Sequence, residues 1–405
     1  MTILRQTASQ KILSIVFLLL LCRLLVSTAY HAAAAPSGLS RVDFKQYYDA
    51  ANHFRSGESL YAGYKDYPYS PLMAIVMRPL AKLPFEKAAL AWIAASTALL
   101  LFSIAVFIAA FGLNPAENPV VCGLILVTGF RFWPTSIELA IGNVDMLLLA
   151  IIAAIYLANR FGKFLAIAVL IALAALIKTW MLGLCFYLLA RRRYREALIS
   201  VSAYLAGLIV LFSICGWHQF PDFVRSTCAF TSQPLVVTHS IPGIARMYLS
   251  VNPHIAPFST TPTAHLATLY IAYAALIAGL ILVWAVTGAE SGHAGALTLG
   301  FTLISLLVGL PICHQYYFVY VLPGIWNLLF SPGKGKKLSM AAMIAALIAY
   351  AAFSVNAPGL TPLPEQYRSG LKSLFVATSF LAAALMWITL LVVILVAARK
   401  SPEPA

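Results

Sequence analysis

The chain has 405 residues, of which 61% are hydrophobic and only 10% are charged. Its apolar runs are long enough to cross a hydrocarbon layer of about 30 Å, so the composition predicts a polytopic α-helical membrane protein. The net charge of +14 comes mostly from Lys and Arg between those runs. This placement indicates membrane topology and argues against nucleic acid as a partner.

The hydropathy pattern predicts an all-α membrane protein with roughly 10–12 transmembrane helices in a single integral-membrane domain, 1–405. The predicted apolar segments are, in chain order, 12–30, 88–111, 119–134, 143–159, 164–178, 179–190, 197–215, 265–287, 294–312, 315–330, 338–354 and 373–398. Several are short, notably the pair between 164 and 190, which predicts broken or re-entrant helices.

The first segment has two interpretations. Residues 1–35 have a basic start, an apolar run and small residues before Pro36, as a cleaved signal peptide would. Arg23 interrupts the run, and the apolar character resumes as far as Ala35, which is longer than a usual signal core. The pattern therefore favours an uncleaved first helix.

Basic clusters predict the orientation of the chain. They all fall on the side of the N-terminus: Arg160 and Lys163, "RRRYR" at 191–195, "GKGKK" at 333–337, and Arg399 with Lys400. Positive residues favour the cytoplasmic side, so the N-terminus is predicted to be cytoplasmic, in a bacterial inner (plasma) membrane. The long loops 31–87 and 216–264 then face the periplasm or exterior, and the first is the predicted catalytic loop.

Several kinds of site find no support in the sequence. The six cysteines lack CxxC or Cys/His spacing, and there is no DxD pair, P-loop or GxGxxG, so neither a metal nor a cofactor is predicted. Cys215 and Cys228 could pair in an oxidising compartment, although two free thiols are the favoured interpretation.

Asp43 stands out among the thirteen acidic residues. It is the acid closest after the first apolar segment, and "DFKQYYDAANHFRSG" at 43–57 has aromatic and small residues at helical spacing. One interpretation is that Asp43 only caps an interfacial helix whose aromatic face lies among lipid headgroups. The other is that it is a catalytic carboxylate on the outer side.

Later segments make a family resemblance specific. Asp-Phe-x-x-Tyr-Tyr-x-Ala-Ala is followed by "YKDYPYSPLMAIVMRPLAKLP" at 64–84, and then by "IGNVD" at 141–145 and "ALIKTW" at 175–180. "TSQPLVVTHSIPGIARMYL" at 231–249 and "GLPICHQYYFVYVLPG" at 309–324 continue the pattern. In this order the segments resemble glycosyltransferase superfamily C, and within it family 87, the polyprenol-phosphate-mannose-dependent α-mannosyltransferases. Asn143 and Asp145 stand where Gln and Asn are usual in that family.

The resemblance implies a hexosyltransferase that moves a sugar from a polyprenyl phosphate to a glycolipid or glycan acceptor, with mannose as the favoured sugar. Such enzymes invert the anomeric centre in one displacement and need one carboxylate to deprotonate the acceptor. The family pattern assigns that base to Asp43. Lys178, Arg246 and His314 are the candidates for binding the donor phosphate, and either His314 or Tyr316 occupies the family's histidine position.

Further residues are predicted to bind substrate. Tyrosines of the first loop suit the apolar faces of a sugar, although they could instead belong to an interfacial aromatic belt. Asn143, Asp145 and Gln233 follow from the family segments, and His239 lies at the centre of the second long loop. The tyrosines are Tyr47, Tyr48, Tyr67 and Tyr69.

Two other functions remain open from the sequence. A transporter or lipid-linked sugar flippase would also use broken helices and an intramembrane Lys178. An enzyme resembling O-antigen ligase would use a polyprenyl diphosphate instead. Membrane lipids are the expected surroundings, and no obligate protein partner is evident.

Overall fold

The structure, a computed structural model, describes residues 42–61, 67–231, 238–251, 255–288, 293–330, 336–355 and 368–399. These residues form α-helices and short 3₁₀ helices and no β-strand. The all-α prediction is therefore confirmed for the described part of the chain. The first predicted apolar segment, 12–30, lies outside it.

The long helices give the protein its membrane character. Four helical stretches in the described chain are long and apolar enough to cross a membrane: Phe85–Ala110 (α3), Tyr194–Cys215 (α9), Pro262–Val286 (α12) and Lys372–Arg399, whose α-helical part is Thr378–Arg399 (α16). Large apolar side chains such as Leu198, Tyr270 and Ile271 are exposed on them. Such surfaces suit contact with lipid, so the chain is a multi-pass membrane protein.

Shorter and broken helices fill the space between the long ones. Pro119–Arg131 (α4) and Trp133–Ile141 (α5) meet at a 52° bend, and this pair counts as one further candidate span. Pro134 lies in the first turn of α5, where its missing N–H costs no hydrogen bond. The remaining membrane-domain helices are Asp145–Arg160 (α6), Phe164–Ile177 (α7), Cys185–Ala190 (α8), His293–Gly309 (α13), Leu322–Phe330 (α14) and Lys336–Phe353 (α15).

The predicted break between 164 and 190 is present. Helix α7 ends at Ile177, and Lys178 has extended backbone angles before a 3₁₀ helix, Thr179–Leu184, leads into α8. A second 3₁₀ helix, Gln315–Val321, precedes α14. Interrupted helices leave backbone groups that need partners, so in a membrane they occur where protein or a polar cavity surrounds them.

The loop that precedes α3 is folded against the bundle. It contains Val42–Ser56 (α1), Pro71–Met77 (α2) and a 3₁₀ turn, Leu80–Lys82. Ser70 caps α2, and its hydroxyl also donates to the carbonyl of Leu176 at the end of α7. The aromatic face of α1 is buried in protein, since Phe44 packs on Phe85 and Trp92. The expectation that this face lies among headgroups is therefore wrong.

The second long loop supports the first. It contains Phe220–Thr231 (α10) and Ile241–Leu249 (α11). Gln219, just before α10, accepts a hydrogen bond from the backbone N–H of Leu60 at 2.8 Å. The hydroxyl of Tyr248 on α11 donates to the carbonyl of Ser373. Cys215 and Cys228, which flank the start of this loop, are free thiols, as the sequence favours.

Candidate active site

Asp43 lies in the first turn of α1, at the end of the bundle where the helices are interrupted. The described part of the helix starts at Val42, so Asp43 lies within the helix, and the interpretation of Asp43 as its N-cap is wrong. Its Oδ2 accepts a hydrogen bond from Nδ2 of Asn143 at 2.6 Å. This hydrogen bond holds the carboxylate in place. The side chain is only half-buried, so a substrate can still reach it.

Asn143 is fixed by several partners. Its Oδ1 accepts hydrogen bonds from the Tyr47 hydroxyl at 3.1 Å and from the Val144 backbone N–H at 2.6 Å. The Tyr47 hydroxyl also lies 2.8 Å from that of Tyr69. Asn143 is almost fully buried. These contacts orient the amide so that its NH₂ group faces Asp43.

The turn that carries Asn143 requires a glycine. Gly142 ends α5 with φ at +70°, in the left-handed region that favours glycine. A Cβ at this position would lie 2.8 Å from Cβ of Phe44, so α1 approaches the turn closely. The indole N–H of Trp92 donates to the Gly142 carbonyl at 2.8 Å. Helices α1 and α3 thus clamp the turn from two sides.

Lys178 is engaged with Asp145 in a buried ion pair. Its ammonium group also lies 4.2 Å from the ring centre of Tyr317, a cation–π contact. An ion pair in this setting satisfies two charges that would otherwise be costly to bury. The amine of Lys178 already has an acidic partner. Its role in binding the donor phosphate stays a prediction.

Glu138 is a second buried carboxyl group near the ion pair. Its Oε1 accepts a hydrogen bond from the backbone N–H of Asp145 at 2.7 Å, and the side chain is 1% exposed. Asp43 and Lys178 also act on it electrostatically. Glu138, Asp145 and Lys178, with Asp43 at the edge, therefore form one charged cluster at the broken end of the bundle.

A wall of aromatic and imidazole rings borders the cluster. The ring of His314 stacks on Tyr316 at 5.1 Å and meets Tyr317 edge-on at 5.6 Å. The backbone N–H of His239 donates to the Cys313 carbonyl at 2.8 Å, which brings the second long loop to this wall. Burial, with the charges of Lys178 and His239, lowers the pKa of His314 to about 4. Burial lowers the pKa of His239 to about 4 as well.

The protonation of Asp43 reflects competing influences. Burial is the largest and raises the pKa of Asp43 above its ordinary range. The hydrogen bond from Asn143 and the charge of Lys178 lower it, and Tyr316 approaches closely enough to favour the ionised form as well. The result is a more basic carboxylate than a solvent-exposed aspartate, which suits proton abstraction near neutral pH.

Of the other predicted site residues, some lie beside Asn143 and the rest lie elsewhere. Tyr69 joins Tyr47 beside Asn143, and the buried Tyr67 packs on Tyr69 at 5.3 Å. Tyr48 lies on a different face of α1, where its hydroxyl donates to the Leu83 carbonyl at 2.7 Å. Arg246 lies on α11 within electrostatic range of Tyr273. Gln233 lies outside the described residues.

Sequence reasoning missed several residues that the fold brings to the site. Glu138, Trp92, Tyr317 and Tyr320 were not singled out as site residues from the sequence. A usable signal for Glu138 existed, because it precedes Asp145 by seven positions across a Gly-Asn turn. Tyr317 and Tyr320 both contact the ring of Trp180 beside Lys178.

The arrangement can orient and deprotonate a hydroxyl group. Asp43 supplies one half-buried carboxylate, whereas Asp145 is neutralised by Lys178. Tyr47 and Tyr69 beside it are buried and hold Asn143 in place, so their role in binding a sugar stays a prediction. The fold and this site define a multi-pass membrane protein in which, among the described residues of the site, Asp43 is the carboxylate that is neither paired with Lys178 nor fully buried.

The family model of glycosyltransferase family 87 matches residues 67–309. This match spans more than half of the chain, which belongs to glycosyltransferase family 87 and is a membrane glycosyltransferase. A comparison with curated proteins found no match. The matched range includes Asn143, Asp145 and Lys178, whereas Asp43 precedes it and His314 follows it.

Proposed function

We propose that the protein transfers a hexose, with mannose as the first candidate, from a polyprenyl-phosphate-linked donor to a glycolipid or glycan acceptor. The reaction would take place on the extracytoplasmic face of a bacterial inner membrane. The observation that carries the proposal is the half-buried Asp43 carboxylate, held by Asn143 beside the tyrosines of the first loop.

The proposed step is a single displacement. Asp43 accepts the proton of the acceptor hydroxyl while that oxygen bonds to the anomeric carbon of the donor. The bond between the anomeric carbon and the phosphate oxygen breaks, and polyprenyl phosphate leaves with the electron pair. Attack opposite the leaving group inverts the configuration. A phosphate leaving group is already stabilised as an anion, so the step needs no second carboxyl group as an acid.

Several groups could hold the leaving phosphate. His314 and Arg246 lie in loop elements around the site, and Lys178 lies at the helix break. A histidine whose pKa is lowered to about 4 is neutral near pH 7, so it would donate one N–H to a phosphate oxygen and add no charge. Arg246 would supply a cation that stays charged.

An apolar groove supports a lipid-linked donor. A cavity of about 230 Å³ lies between α12 and α13, with Tyr273 and Leu276 on one side, Ser305 and Gly309 on the other, and Pro311 at one end. The Ser305 hydroxyl accepts from the indole of Trp387, and the Tyr273 hydroxyl donates to the Gly309 carbonyl, so the polar groups are already satisfied. Such a lining suits a hydrocarbon chain with its anionic head towards Arg246.

Membranes containing the protein provide the test. They would be incubated with a panel of labelled polyprenyl-phosphate sugars, and the glycosylated product would be identified. Asp43→Asn removes the base and should lower transfer by roughly 10²–10⁴-fold at unchanged protein level. Asp49→Asn is the matched control, because Asp49 lies on the same helix and pairs with Lys45. Transfer by Asp43→Asn within about threefold of wild type would refute Asp43 as the base.

A further inference from the structure

Helix α6 begins without a cap of its own. Val144 occupies its N-cap position and has no side chain that can accept a hydrogen bond, and Asp145 is the first helical residue. The first N–H groups of a helix lack partners inside it and need acceptors from elsewhere. The Asp145 N–H finds its acceptor in Oε1 of Glu138, at 2.7 Å on the preceding helix. Glu138 thus caps α6 from a neighbouring helix.

The same hydrogen bond closes the turn that carries Asn143. Glu138 lies near the end of α5, Gly142 reverses the chain with its left-handed backbone, and Asp145 begins α6. A bond between the two ends restrains the residues between them. Asn143 is one of these, and its amide holds both Asp43 and the Tyr47 hydroxyl.

The contact that Glu138 makes with the turn is that of a hydrogen-bond acceptor. Lys178 is paired with Asp145, and Asp43 adds a further acid to the same cluster. The second carboxyl oxygen, Oε2, is buried and has no hydrogen-bond partner among the described residues. The hydrogen bond from the Asp145 N–H to Oε1 is therefore the contact through which Glu138 can act on the turn.

We propose that Glu138 is a positioning residue for the proposed glycosyl transfer, which caps α6 and thereby holds Asn143 against Asp43. It touches neither the donor nor the acceptor in this proposal. The proposal rests on the proposed function, because Asp43 must be the base for its position to control the rate.

Two substitutions separate the acceptor from the charge. Glu138→Gln keeps a carbonyl oxygen that can accept the Asp145 N–H, and we expect kcat to stay within about threefold of wild type. Glu138→Ala removes the acceptor and frees the turn. Misplacement of a catalytic group by about 1 Å costs on the order of 10²-fold, so kcat should fall by roughly 10–100-fold with little change in KM.

The pH profile distinguishes positioning from a general loss of folding. The Asn143 hydrogen bond favours the ionised form of Asp43. When the turn loosens in Glu138→Ala, this support weakens, and the acidic limb of the kcat profile should move to higher pH. Ser136→Ala, at an exposed position on α5, is the control and should leave both kcat and the profile unchanged.

A double variant tests the route through Asn143. If Glu138 acts through Asn143, then Glu138→Ala combined with Asn143→Ala should be no slower than Asn143→Ala alone. Multiplicative losses, or an unshifted pH profile in Glu138→Ala, would overturn the proposal. If the Glu138→Ala protein fails to accumulate, Glu138→Gln is the deciding variant. A fall of more than about tenfold in its kcat would contradict the proposed role of Glu138 as an acceptor.

Failure of this inference differs from failure of the proposed function. If Asp43→Asn retains transfer, the base is misassigned. If Asp43→Asn is inactive and Glu138→Ala transfers normally with an unshifted profile, the base stands and only the positioning role of Glu138 falls.

Discussion

The interrupted helices and the continuous helices of the bundle carry different chemistry. Helices α9 and α12 run for 22 and 25 residues without a break, and their outward faces bear exposed apolar side chains. Helices α5, α6 and α7 end or begin next to Gly142, Asp145 and Lys178, and the buried acids Glu138 and Asp145 lie there together with Lys178. This cluster of charged side chains thus lies where broken helices leave polar backbone groups that the surrounding protein must satisfy.

Removal of the buried lysine should have the largest effect on stability. Lys178→Met leaves Asp145 buried without a counter-charge and should lower the free energy of unfolding by about 3–5 kcal/mol. Thermal unfolding in detergent measures the change. Lys45→Met is the matched control, because Lys45 forms an exposed i,i+4 pair with Asp49, and such pairs contribute only about 0.3–0.5 kcal/mol.

A double variant sharpens this first comparison. Lys178→Met with Asp145→Asn removes both charges together and should regain most of the lost stability. If Lys178→Met lowered the free energy of unfolding no more than Lys45→Met, the buried Asp145–Lys178 pair would not stabilise the interrupted helices.

Gly142→Ala should show how closely α1 approaches the turn. Gly57 and Gly142 both have a positive φ, but a Cβ at Gly57 meets nothing within 4 Å, whereas one at Gly142 reaches Phe44. Backbone strain is common to Gly57→Ala and Gly142→Ala. In addition to this strain, the overpacking in Gly142→Ala should lower the free energy of unfolding by a further amount of about 1–3 kcal/mol. Equal costs at both positions would contradict the close packing.

The stability of the wild type and of Asp43→Asn should diverge with pH. Burial raises the pKa of Asp43, so folding favours the protonated carboxyl group. The stabilisation is present at acidic pH and is lost as the pH rises through the raised pKa. Asp43→Asn, which carries no charge, should therefore gain in melting temperature relative to wild type over that range, where transfer by the wild type increases.

Asp49→Asn controls for the loss of a charge on α1. A melting-temperature difference for Asp43→Asn that stays flat with pH, or that decreases as the pH rises, would show that Asp43 is not held in a desolvated site.

Substitution on a lipid-facing surface should have the smallest effect. Leu198 on α9 is 67% exposed, so Leu198→Ala should change the free energy of unfolding by no more than about 0.5 kcal/mol and leave transfer unchanged. A large effect on detergent stability or transfer would indicate that this face of α9 packs against protein.

The fold was predictable because hydropathy is a local property. The apolar segments that fall within the described residues matched helices to within a few residues. The break near Lys178 was visible as two short apolar runs around an ionisable residue. The helical spacing at 43–57 matched α1, whose described part runs from Val42 to Ser56. Asp43 is not the N-cap. It lies within the helix, where its side chain accepts a hydrogen bond from Asn143.

The candidate site was predictable only in part because its contacts join distant parts of the chain. Asp43 followed from its place after an apolar segment and from the family pattern. Its bond to Asn143 spans 100 positions, and the Asp145–Lys178 pair spans 33, so neither leaves a local pattern. The burial of Glu138 and the contact of Tyr48 with the Leu83 carbonyl likewise depend on packing that periodicity does not report.

The separation between Asp145 and Lys178 has a consequence for biosynthesis. The chain emerges from the ribosome N-terminus first, so Glu138 and Asp145 are made before Lys178, which follows Asp145 by 33 residues. Until Lys178 is made, Asp145 lacks the cation with which it pairs in the folded protein. A nascent chain arrested in this interval should remain near the insertion machinery, and one extended past Lys178 should move into lipid.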